Sequence, residues 1–143
     1  NYKRVREALI KSMTAGTVVS MIFFIITLLF SKQLVMIFIK NPVMIDLASG
    51  ALVKFLFSLP VYGIIVIGVE FFQVSGKANV SSILFFIRHI ILALSGLILM
   101  PVFIGIDGVW YSRTVPDYLY FSIVIIVLTK WFNENSRLIK ETA

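Results

Sequence analysis

No cysteine occurs among the 143 residues, so neither a disulfide nor thiol chemistry is open to this chain. Histidine occurs once, at His89, and a lone imidazole cannot build a histidine metal cluster. No serine, cysteine or carboxylate is placed to complete a triad with it. On its apolar helix His89 reads as a hydrogen-bonded packing residue. Carboxylates number seven, and none pair at helical spacing, which leaves a two-acid hydrolase without support. An enzyme is not expected. Charge of either sign is scarce: charged residues make up 14% of the chain and hydrophobic ones 59%. A soluble domain carries about 25% charged residues. With a mean hydropathy of +1.00, too little polar material remains to clothe a globule in water, and lipid is the implied solvent.

The stretch GVEFFQVSGKANVSS (68–82) contains a Gly76-Lys77 pair that invites comparison with a phosphate-binding loop. Such a loop needs a glycine five residues before the Gly-Lys and a hydroxyl residue after it. Phe71 and Ala78 occupy those places, and the nucleotide reading fails on both.

The few charges are far apart. Twenty uncharged residues separate Lys11 from Lys32, and 23 residues lie between Asp46 and Glu70, broken only by Lys54. Another 29 lie between Lys77 and Asp107, broken only by Arg88. Roughly 20 apolar residues cross a hydrocarbon core about 30 Å thick. These runs predict transmembrane helices near 8–30, 45–74 and 81–102. A shorter run, 115–132, makes a fourth if Lys130 reaches back to the headgroups beside Trp131. The first apolar run is too long for a signal peptide, and three more follow it. The expectation is an all-α integral membrane protein of four transmembrane helices. Segment 34–39 is too short to span and reads as interfacial, GIDGVWYSRTVPD (105–117) reads as an external loop, and the tail 133–143 is polar.

Net charge is +6. In a soluble protein that would point to nucleic acid; here no nucleic-acid partner is expected, because the cations sort by side of the membrane. Lys3, Arg4, Arg6, Lys11, Lys77, Arg88, Lys130, Arg137 and Lys140 fall on one side. Only Lys32, Lys40, Lys54 and Arg113 fall on the other. Positive residues favour the cytoplasm, so both termini of this segment and the 74–80 turn are predicted to be cytoplasmic. Asn41-Pro42 has the chemistry of a helix start, and Pro60 predicts a bend within 45–74. Ionisable groups inside a membrane are costly and become functional candidates. Three qualify: Lys54, Glu70 and Arg88. Glu70 and Arg88 lie on consecutive helices flanking one turn, where they either pair or Glu70 reaches cytoplasmic water.

Several segments together resemble the C-terminal part of multidrug and toxic compound extrusion (MATE) transporters. They are KRVREAL, LVMIFIKNPVMIDLA, ALVKFLFSLPVYGI, FFQVSGKANVSSILFFIRHIIL and LILMPVFIGIDGVWYSRTVPD, in that order along nearly the whole chain. The most specific are FFQVSGKA with Arg88 downstream, and the Pro101–Trp110 series. The resemblance implies a twelve-helix antiporter of two six-helix lobes, exporting cationic or amphipathic drug-like compounds in exchange for H+ or Na+. No other cofactor is implied. This chain resembles helices nine to twelve, within the cell (plasma or inner) membrane. Its expected partners are the lipid bilayer, the missing N-terminal helices and the transported substrates. Twelve helices need far more than 143 residues, and Asn1 is not Met, so a fragment is expected. Some sodium-coupled members carry a carboxylate midway along the helix matching 45–74. By register that position falls near Tyr62, where no acid stands. Two other readings are a lipid-linked oligosaccharide flippase of the same superfamily and a small four-helix membrane scaffold. Only Lys54 and Arg88 offer a pyrophosphate positive charge within the lobe.

Overall fold

A computed structural model describes the backbone of residues 2–141 and the side chains of residues 4–135. Lys3, Arg137 and Lys140, counted above as cytoplasmic cations, have side chains outside the described residues. Among the described residues all regular structure is helical. The elements are α1 (Tyr2–Met36), α2 (Pro42–Phe55), α3 (Leu59–Val74), α4 (Ala78–Phe86), a π-helical turn (Ile87–Leu92), α5 (Ala93–Ile104), α6 (Ile106–Tyr111) and α7 (Thr114–Glu141).

Three helical stretches are long and apolar enough to cross a membrane: Arg4–Met36, Ala78–Ile104 and Ile106–Asn135. A fourth exists if α2 and α3, bent by 43° at their junction, form one broken span. The chain is an all-α membrane protein. Large apolar side chains cover the outside of α1, with Phe23, Leu29 and Ile22 all exposed. Such a surface suits lipid or further helices rather than water.

The helices meet through small contacts and a short core. Leu9 of α1, Ile65 and Phe72 of α3, Leu84 of α4, and Tyr120, Val124 and Leu128 of α7 form one buried cluster. Gly16 and Gly63 let α1 and α3 cross backbone to backbone, since a Cβ on Gly63 would run into the Gly16 carbonyl. At the end of α3, Gly76 takes φ +76° and the Lys77 N–H donates to the Phe72 carbonyl at 2.9 Å. This left-handed close is a helix C-terminal turn, so the Gly-Lys pair marks a helix–helix connection.

Several element bounds depart from the sequence-based ones. α1 continues past 30 to Met36, with a kink at Phe30 (φ −119°, ψ 18°), so the expected interfacial segment 34–39 is in part its last turn. Phe38 and Ile39 then close the end by donating to the Val35 carbonyl. Asn41 caps α2 as its chemistry predicts, accepting from the Val43 N–H at 3.0 Å. The break in the second span falls at 56–58, ahead of Pro60, because the ring of a proline disrupts the helix one turn upstream. Pro60 itself sits in the first turn of α3. The expected outer loop 105–117 is instead α6 and the first turn of α7.

Candidate functional site

The break between α2 and α3 frees backbone carbonyls. Leu59 N–H donates to Leu56 at 3.0 Å and Val61 N–H to Ser58 at 3.1 Å. The carbonyls of Phe55 and Phe57, which a regular helix would pair with those two groups, are left over. Unpaired carbonyls in lipid cost several kcal/mol each, and α7 supplies the partners. Thr114 Oγ1 reaches the Phe55 carbonyl at 3.4 Å and makes its shorter bond, 2.7 Å, to the adjacent Lys54 carbonyl at the end of α2. One turn on, Tyr118 Oη donates to the Phe57 carbonyl at 3.2 Å. Thr114→Val should therefore lower unfolding stability in detergent by about 1–2 kcal/mol, the cost of one orphaned buried acceptor.

Between those two ties lies Asp117, whose side chain is 5% exposed. Its Oδ1 accepts from Arg88 Nη2 at 3.0 Å and Nε at 3.2 Å, and its Oδ2 accepts from Ser58 Oγ at 2.8 Å. Arg113 Nε stands 3.6 Å from the same Oδ2. Ser58 is the residue preceding α3, and its hydroxyl turns away from that helix's backbone to the carboxylate. The negative group thus sits at the N-terminal end of a half-helix, where the dipole favours it. Arg88 is carried by the π turn, with its guanidinium 4.8 Å from the Tyr62 ring and 5.5 Å from that of Tyr120. Single π turns inside α-helices recur at functional sites. Arg88 is ten positions along the 27-residue apolar stretch Ala78–Ile104, well inside it rather than at an end.

The sequence-predicted residues divide into two groups. Arg88, Tyr62 and Pro60 converge at the break. Lys54 joins it only through its backbone carbonyl; its ammonium pairs with Asp107 Oδ1 of α6 at 2.5 Å. Glu70 does not pair with Arg88. The two line one cavity of about 220 Å³ with Tyr62 and Tyr120. Arg88 is turned to Asp117, while Glu70 is exposed and makes no salt bridge among the described residues. His89 fills a packing role, its Nδ1 3.0 Å from the Phe85 carbonyl and its ring stacked on Phe85. Asp117, where the expected outer loop 105–117 meets the expected span 115–132, was given no role from the sequence. Thr114-x-Pro116-Asp117 before an apolar run is a helix-start pattern, and with that signal the acid falls in the first turn of α7.

The family model MatE matches residues 1–99. The chain belongs to the MatE family. The match covers Lys54, Pro60, Tyr62, Glu70 and Arg88 and ends before Asp117. MatE is a family of membrane transporters, and this MatE chain is a multi-pass membrane protein. No curated protein and no solved structure matches it.

Proposed function

We propose that this MatE chain is the later part of the C-terminal lobe of a secondary antiporter, with Arg88 and Asp117 at its working centre. The transporter exports cationic or amphipathic compounds in exchange for H+ or Na+. It lies in the cell (plasma or inner) membrane, with both termini of this segment cytoplasmic. The observation that carries this reading is a buried ion pair seated on a broken helix at mid-span. Discontinuous helices with ionisable groups at their ends are the usual sites of substrate and ion coupling in secondary transporters. A packing kink would need only its carbonyls covered; here a carboxylate joins three helical segments through Ser58, Arg88 and its own α7. An exchangeable charge at that junction couples occupancy to the angle between α2 and α3. The remaining helices of the transporter are the implied partners of the apolar face of α1.

Cells expressing the full gene product should accumulate less of an amphipathic cationic dye than control cells. The difference should vanish when the proton gradient is collapsed or when sodium is withdrawn, according to the coupling ion. Dye levels that stay low after both treatments would contradict the antiport reading.

A further inference from the structure

More positive charge is gathered around Asp117 than that carboxylate can satisfy. A cavity of about 240 Å³ lies between the π turn, α5 and the start of α7, lined among others by Arg88, Arg113, Asp117, Ala93, Leu97 and Pro116. It is several times the ≈30 Å³ that a water molecule takes in the liquid. Two guanidiniums thus face one carboxylate. Asp117 spends Oδ1 on two hydrogen bonds from Arg88 and Oδ2 on Ser58. Arg113 is left 3.6 Å away, beyond hydrogen-bond length. Its side chain is 44% exposed and forms no other salt bridge among the described residues. The guanidinium rests 5.3 Å from the Phe55 ring and 5.9 Å from that of Tyr62. Its planar set of donors suits a carboxylate or phosphate oxygen.

Ser112 and His89 also border the cavity, and the remaining side has a different character. Ala93 and Leu97, both exposed, stand one turn apart on α5, and Pro116 comes from the start of α7, so this part of the wall offers alkyl contact only. Ala93 is small and exposed, so a larger side chain there adds bulk to the lining. One charged and one apolar wall define an amphiphile with an anionic end. We propose that this cavity binds an amphipathic oxyanion, an alkyl phosphate or carboxylate. Its charged end meets Arg113 and its chain lies along Ala93 and Leu97. The ligand class differs from the cationic compounds above, and the site stands whether or not that transport reading holds. The occupant's source is either a bilayer lipid headgroup or a dissolved anion.

Equilibrium dialysis tests this on the full gene product in phosphatidylcholine nanodiscs, with radiolabelled hexyl phosphate as probe and no ion gradient. Saturable binding is expected, displaced by unlabelled hexyl phosphate and not by hexyltrimethylammonium. Arg113→Gln should weaken it about tenfold, as the loss of a charge-assisted bidentate contact does. Ala93→Leu, which adds bulk to the lining and alters no charge, should weaken it at least about tenfold even if Arg113→Gln fails to fold. Nanodiscs containing phosphatidic acid separate the sources. Loss of hexyl phosphate binding there marks a lipid headgroup as the occupant, and retained binding marks a dissolved anion. Absence of saturable binding in phosphatidylcholine discs, or unchanged binding in a folded Ala93→Leu protein, would overturn the proposal.

Discussion

Asp117→Leu is expected to lower the unfolding free energy of the detergent-solubilised protein by about 3–5 kcal/mol, the cost of removing one partner of a buried ion pair. The substitution leaves Arg88, 13% exposed, without its salt-bridge partner among the described residues and with the rings of Tyr62 and Tyr120 against it. A cation over an aromatic face recovers about 2 kcal/mol at best. Arg88→Met should cost less, because Asp117 keeps the Ser58 hydroxyl and Arg113 close by. The double variant Arg88→Met/Asp117→Leu removes both charges together. A buried pair replaced by apolar groups of similar volume is often neutral or stabilising, so the double variant should unfold within about 1 kcal/mol of the parent. Thermal and denaturant unfolding of the four proteins closes the cycle. Strictly additive losses would show that the two side chains do not act as a pair.

Gly63→Leu is expected to be the most disruptive single change between α1 and α3. Even a bare Cβ at Gly63 would collide with the carbonyl and carbon of Gly16 and with the Thr17 nitrogen. Backbone cannot rotate away as a side chain can, so the two helices must separate along their crossing. Overpacking a close contact costs about 1–3 kcal/mol, and more where backbone is the obstacle. Gly50 serves as the control: it lies within α2, and a Cβ there meets nothing within 4 Å. Gly50→Ala should be neutral or slightly stabilising, since alanine holds a helix better than glycine by about 1 kcal/mol. A large fall in melting temperature for Gly63→Leu beside an unchanged Gly50→Ala is the predicted pattern; equal melting temperatures would contradict it.

Spans were legible because lipid enforces a simple rule, long apolar runs with charges kept to their ends. The Asn41-Pro42 start was legible for a local reason, since a cap depends on three or four neighbouring residues. Pro60 announced a bend, but the break lies a few residues upstream, where the proline ring acts and where α7 supplies hydrogen bonds. Asp117 was hidden by the same logic that found the spans. It follows a turn-rich stretch, GIDGVWYSRTVP, that composition assigns to the outside. The structure folds that stretch back onto α5: the Cβ positions of Gly108 and Gly96 are blocked by Met100 and by Ser112 with Pro116. Such a fold-back onto a preceding helix leaves no signature in charge spacing. Pairing of Glu70 with Arg88 failed on orientation, since closeness in sequence and depth does not fix which face of a helix a side chain takes. The π turn that carries Arg88 has no sequence signal we can name.

The central claim is that the Arg88–Asp117 pair serves transport and not only folding. Its most direct test is gradient-driven movement of a cationic dye in proteoliposomes containing either the full gene product or its Arg88→Met/Asp117→Leu variant. The variant's stability should match the parent's, so the readout is free of folding loss. The account predicts that the parent moves dye when the gradient is imposed and the equally stable double variant does not. Transport by the double variant at the parent's rate would contradict it.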